Sequence, residues 1–132
     1  MAVSETEDPL LGMLRHTIIG LVRRDGPDLT ARQLAIFLIC YLESEVQTVR
    51  GLAAKLGISK PAVSRALDRL GEFSFVRRED DPLDRRSILI RRTRKGLSLL
   101  RELGRIMEKA PMKAHHTEPM RMASSRALSA RS

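Results

Sequence analysis

Residues 48–70, TVRGLAAKLGISKPAVSRALDRL, constrain this chain more tightly than any other stretch. They read as two short helices joined across a tight turn. The first runs through Val49–Leu56 and ends at Gly57, a residue suited to the left-handed backbone common just past a helix. Ser59 can cap the second helix, and Pro61 falls in its first turn, where a missing N–H is harmless. Such helices pack closely only with a small residue where they cross and apolar residues locking the second onto the first. Ala53, Gly57, Ile58 and Val63 supply these in order. On a helical wheel Val63, Ala66, Leu67 and Leu70 share the inner face. Pro61, Ser64, Arg65, Asp68 and Arg69 point outward, and Lys60 and Ala62 flank the start.

Beyond Gly71 the period changes. FSFVRR alternates as a strand does, REDDPLDRRS reads as a polar loop, and SILIRR alternates again, giving a hairpin. Upstream, Leu10, Leu14, Ile18 and Leu21 give a helical spacing from Pro9 to about Arg24, halted by Asp25-Gly26-Pro27. Thr30 is placed to cap a helix through about Leu42, with Leu34, Phe37, Leu38 and Tyr41 inside. Glu45–Thr48 suits a small strand. Thr93 caps a last helix through about Ala110, whose Leu97, Leu100, Leu103, Ile106 and Met107 form a broad apolar surface. Residues 1–8 read as a loose polar start and 111–132 as a flexible basic tail without lasting period. The expected fold is mainly α with a small β-hairpin: a winged helix–turn–helix domain over 9–110, flanked by N- and C-terminal helices.

Charge separates the segments. Residues 1–49 hold 4 Lys/Arg against 7 Asp/Glu, residues 50–96 hold 13 against 6, and residues 97–132 hold 7 against 3. The net +8 of the chain is therefore concentrated on the two helices and the hairpin, the footprint of a polyanion binder. No basic amphipathic helix with an aromatic apolar face suggests a membrane partner.

In a helix–turn–helix the start of the second helix meets base edges. Arg65 has the reach for a guanine's two acceptors, Ser64 for a base or phosphate, and Ala62 for a thymine methyl. Arg69 suits a phosphate. The competing reading has Arg65 and Arg69 pairing with Asp68 and Glu72 along a solvated helix. Backbone N–H groups near Ser59–Ala62, with Lys60 and Pro61 among them, form a partial positive charge suited to phosphate, though Ser59 serves equally well as a cap alone. The hairpin loop, with Arg78 at its root, can carry Arg85 and Arg86 to a narrow minor groove. Alternatively Asp81 and Asp84 neutralise those arginines. A mixed arrangement is favoured, one Asp–Arg pair fixing the loop while the other arginine faces DNA.

Other chemistry is poorly supported. Cys40 is the single cysteine, lies beside Phe37 and Tyr41, and reads as a buried, inert thiol without a cationic neighbour. His115 and His116 fall in the tail. The sequence shows no paired carboxylates, phosphate-binding glycine loop or nucleophile–base set, so neither an enzyme nor a cofactor or metal site is expected. A lone cysteine and an acidic N-terminus point to the cytoplasm.

GLAAKLGISKPAVSRALDRL followed by FVRREDDPLDRRSILIRRTRKG resembles the winged helix–turn–helix core of the MarR family of bacterial transcriptional regulators. The wing signature D-x-x-D-R-R appears as Asp81, Asp84, Arg85 and Arg86, and the strand-end threonine and following glycine as Thr93 and Gly96. The likeness covers roughly residues 30–100. It implies a homodimer on a pseudo-palindromic operator of double-stranded DNA, with Ser59–Arg69 in the major groove and Arg85 and Arg86 at the minor groove. It also implies repression of nearby genes and, for many members, release of DNA on binding a small, often phenolic, effector. Family members dimerise through both termini, including a sixth helix; here 111–132 lack a helical pattern, leaving the contact to helices 9–24 and 93–110. Two rivals remain: a winged helix that binds protein, and a nucleoid-type binder with little sequence preference.

Overall fold

A computed structural model describes residues 8–110. Its order is α1 (Pro9–Arg23), α2 (Ala31–Leu42), β1 (Gln47–Thr48), α3 (Val49–Leu56), α4 (Lys60–Glu72), β2 (Val76–Asp81), β3 (Asp84–Arg92) and α5 (Arg94–Glu108). The expected mainly helical fold with a hairpin is thus present. The hairpin belongs to a three-stranded antiparallel sheet of order β1-β3-β2. The tail over 111–132, and nearly all of the loose start over 1–8, lie outside the described residues.

Two compact units divide the chain, one over Asp25–Glu102 and one holding α1 and α5 from Leu103. In the larger unit local signals start each helix. Thr30 and Gln33 cap each other reciprocally at 3.1 and 3.0 Å, Thr48 accepts from the Gly51 N–H, and Ser59 from the Ala62 N–H. Gly57 ends α3 at φ 65°, where the Ile58 N–H reaches the Ala53 carbonyl at 3.2 Å.

The core of this unit is aliphatic with a small aromatic cluster, in which the Phe37 ring lies tilted against Tyr41 and edge-on to Phe75. Ile36, Phe37, Cys40 and Tyr41 of α2, Leu52 of α3, Val63, Ala66, Leu67 and Leu70 of α4, and Ile90 of β3 are buried, with α2 and α3 each packed on α4 and β3. The inner face of α2 is therefore set by Ile36 and Cys40 rather than Leu34 and Leu38, which are half-buried. α2 is apolar almost all round, so its sequence pattern cannot fix the rotation. Burial pushes the Cys40 thiol up to about 11, although Arg92 and Lys55 pull the other way. Cations do stand near this thiol, contrary to the sequence expectation, but desolvation dominates.

Phe73, expected from its alternating neighbours to open a strand, instead caps α4. Ser74 turns left-handed at φ 63°, and the Phe75 N–H returns to the Leu70 carbonyl at 2.9 Å, closing the helix before β2 begins. Arg92 closes α2 in the same spirit, donating to the Cys40 and Glu43 carbonyls at 2.8 Å each.

In the smaller unit α1 begins at the Asp8 cap and buries none of its residues. The His16 ring lies 2.9 Å from the Ile106 carbonyl, and Gly20 packs against the Ile106 side chain. Leu10, Leu14, Ile18 and Val22 remain between 45% and 72% exposed.

Candidate nucleic-acid interface

α4 turns its apolar stripe inward and leaves Ser59, Lys60, Pro61, Arg65, Asp68 and Arg69 exposed, with Ser64 half-buried. Pro61, Arg65, Asp68 and Arg69 thus face outward as the wheel places them, Ser64 lies at the edge of that face, and of the two flanking residues Lys60 is exposed and Ala62 is not. Ala62 is only 6% exposed, too buried to touch a thymine methyl. It lies four residues before Ala66 and shares its ridge, which a wheel centred on Val63 places at the boundary.

Arg65 and Arg69 differ. Among the described residues the Arg65 side chain has no hydrogen-bond or ion-pair partner. Arg69 donates to Glu72 at 2.9 Å and lies over the Phe73 ring at 4.8 Å, so the pairing expected along the helix is real for this residue. The helix start offers less to an anion than its sequence suggests. Pro61 has no N–H, and the Ala62 N–H already bonds the Ser59 hydroxyl at 3.2 Å, leaving mainly the Lys60 N–H.

The wing differs from a long loop between short strands. The ladder continues through Arg78↔Ile90, Glu79↔Leu89 and Asp80↔Ile88, and only Pro82 and Leu83 lie between the strands. Alternation fails as a signal because a hairpin projecting into water is polar on both faces while its backbone stays paired. Asp81 and Asp84 serve the turn first: Asp81 accepts from the Leu83 N–H at 2.9 Å and Asp84 from the Arg86 N–H at 3.0 Å. Arg86 approaches Asp84 only loosely, at 3.9 Å and 85% exposed, and Arg85 is exposed. On the outer strand face Arg91 donates to Glu79 at 2.6 Å and holds that carboxyl below its ordinary range.

Between α4, the start of α3 and the wing lies a cleft of about 580 Å³, bordered by Arg50, Lys60, Ser64, Arg78, Asp84 and Arg86. Four cations and one carboxylate make it a place to neutralise phosphates. Arg50 is the addition here. Its position in the first turn of α3 is legible in the sequence, but only the pairing of β1 with β3 brings it beside the wing. Arg78 is engaged, donating to Asp68 at 2.6 Å and to the Ser64 carbonyl at 2.9 Å.

An exposed helix locked by its inner face beside a two-stranded projection defines a winged helix–turn–helix protein. The sequence model of the MarR family matches residues 29–88. The solved structure of MarR is 30% identical over 76% of this chain and 73% of its own, with a TM-score of 0.60. The transcriptional regulator Tm0710 from Thermotoga maritima is 26% identical over 80% of this chain and 75% of its own, with a TM-score of 0.62. A point mutant of MepR from S. aureus, solved bound to an oligodeoxyribonucleotide, shares the fold at 23% identity over 76% and 71% of the two chains, with a TM-score of 0.66. No curated protein sequence matches the chain. The chain belongs to the MarR family, a family of transcriptional regulators rather than enzymes. Among the described residues no helix is long and apolar enough to cross a membrane.

Proposed function

We propose that this protein is a sequence-specific regulator that binds double-stranded DNA as a homodimer and represses transcription by occupying promoter DNA. One observation carries the reading: among the described residues Arg65 stands exposed and without a partner, on the outer face of a helix whose inner face is fully packed. A guanidinium so placed is ready for a guanine edge, because no internal bond has to break first. Lys60 and Arg50 along the cleft take phosphates, Arg86 takes the backbone at the minor groove, and Arg85 enters that groove from the wing. Arg69 takes the secondary role of a phosphate neighbour, since Glu72 already holds it. The MepR–oligodeoxyribonucleotide structure, alike in fold, supports this use of the scaffold. The uncovered apolar face of α1 supports a second copy as partner.

Selection of bound fragments from genomic DNA at controlled salt tests the proposal. For about six neutralised phosphates, log affinity should fall with log salt at a slope near −5. The selected site should be preferred over random DNA by about 10³-fold or more. Slope without preference would replace this reading with a nucleoid-type binder, and absence of both would end it. A reporter downstream of the selected site should be silenced when the protein is expressed.

A further inference from the structure

The guanidinium of Arg78 is held by α4 from two sides. One nitrogen donates to the Asp68 carboxylate and the other to the Ser64 carbonyl, at 2.6 and 2.9 Å. Ser64 and Asp68 are one helical turn apart, so the planar fork spans a full turn of the helix. Its own backbone is fixed in turn, because Arg78 pairs in the ladder with Ile90, whose side chain is buried. Arg78 therefore joins two rigid elements, the root of the wing and the middle of α4.

Exposure tells what this bond is for. Asp68 keeps 60% and Arg78 37% of its side-chain surface in water. An ion pair so exposed adds little to global stability. It does fix direction, since two bonds from one planar group allow neither element to pivot about the other. No second link of this kind joins the wing to α4 among the described residues: the wing's other ion pairs, Arg77–Glu79, Arg91–Glu79 and Arg86–Asp84, all lie within the hairpin.

We infer that Arg78 is a positioning residue of the DNA interface, setting α4 and the wing at one separation so that Arg65 and Arg85 meet a single duplex together, while Arg78 itself leaves the phosphates to others. The inference rests on the DNA-binding reading above. It makes two charge changes behave against simple Coulombic expectation. Arg78→Lys keeps the charge but loses the fork. Asp68→Asn removes a negative charge beside the duplex, which by attraction alone would raise affinity.

The experiment measures binding of full-length protein to its selected genomic fragment by fluorescence anisotropy over a salt series. Thermal unfolding is followed in parallel. Expected is a loss of about tenfold for Arg78→Lys and for Asp68→Asn, with the unfolding midpoint and the salt slope unchanged. The double variant should be no weaker than the worse single one, because both remove the same link. Random DNA should be bound less affected, since it does not require both contacts in register. Unchanged affinity in Arg78→Lys, tighter binding by Asp68→Asn, or a slope reduced by about one in Arg78→Ala would each overturn the inference. Asp68→Asn preserves side-chain shape and keeps the test valid should an Arg78 variant fold poorly. Loss of affinity in Arg65→Ala and Arg85→Ala alongside normal Arg78→Lys would sink the positioning role alone; a wild-type protein that ignores DNA would sink both readings.

Discussion

Gly96 lies so close to the Tyr41 hydroxyl that a Cβ on it would overlap that oxygen and the Phe75 carbonyl. The crowding has a cause. Tyr41 donates to the Phe75 carbonyl at 2.7 Å and accepts from the Thr93 N–H at 2.9 Å, tying α2, the entry to β2 and the start of α5 at one oxygen. Thr93 completes the junction by bonding the Ser74 carbonyl and capping α5 through the Gly96 N–H. Gly96→Ala should therefore destabilise the protein by about 1–3 kcal/mol in urea unfolding, as overpacking against fixed atoms does. Tyr41→Phe should cost about 1–3 kcal/mol through the buried groups it leaves unpaired. The two losses should not add, because both act on the same oxygen. Full additivity would show that the junction has been misread.

The major-groove assignment makes a separate demand. Arg65→Ala should weaken binding to the selected site by about 1–3 kcal/mol and relax preference at one base pair. Arg86→Ala should weaken binding with little change in preference and lower the salt slope by about one. Quantitative selection with each variant reads both quantities, and normal affinity in both would move the interface elsewhere.

Cys40 gives the stability a defined alkaline limb. Its thiol is raised from 9.0 to about 11 in the folded chain, so the unfolded chain releases this proton first as pH rises. The native state then holds more protons than the unfolded one, and stability falls as pH climbs from about 9 towards 11. The contribution is fully present below pH 9 and amounts to on the order of 2 kcal/mol when lost. Comparing the pH slope of urea unfolding in wild type and Cys40→Ala isolates it; equal slopes would refute the burial argument. Thiol reagents at about neutral pH should label Cys40 only on unfolding.

The face of α1 makes the fourth prediction. Leu14 and Ile18 keep 55% and 45% of their surface exposed. If a second copy covers them, Leu14→Glu with Ile18→Glu should halve the mass seen in sedimentation and leave helical content unchanged. Affinity for a two-half-site fragment should drop by about 10²-fold or more as the avidity of paired domains is lost. A double variant that stays dimeric would place the contact on another surface.

What the sequence discloses follows the range of each interaction. Caps, the Gly57 turn and the stripe of α4 depend on residues within a turn of one another, and Thr30, Ser59 and Thr93 all stand where their neighbours imply. The exposure of Arg65 follows from the same periodicity. Arg78 cannot be understood that way, because its partners Ser64 and Asp68 are reached only when a strand folds back beside a helix. Gly96 stands out in the sequence as a family feature, but its reason lies at Tyr41, far along the chain. Phe73 departs from expectation for a local reason: it stands at a helix end, where the period defining inside and outside stops, whereas Ala62 keeps that period at the margin of the inner face.

The short turn at Pro82 and Leu83 has a consequence for how such a protein diversifies. Leu83 keeps 94% of its surface in water, at the tip of a hairpin whose backbone is paired behind it. Residues there are free to change without disturbing a packed neighbour. Those on α4 vary only where the helix faces outward, since its other side is bound into the interior. New sites can thus be explored at the tip by single steps, while the choice of bases at the centre shifts through very few positions.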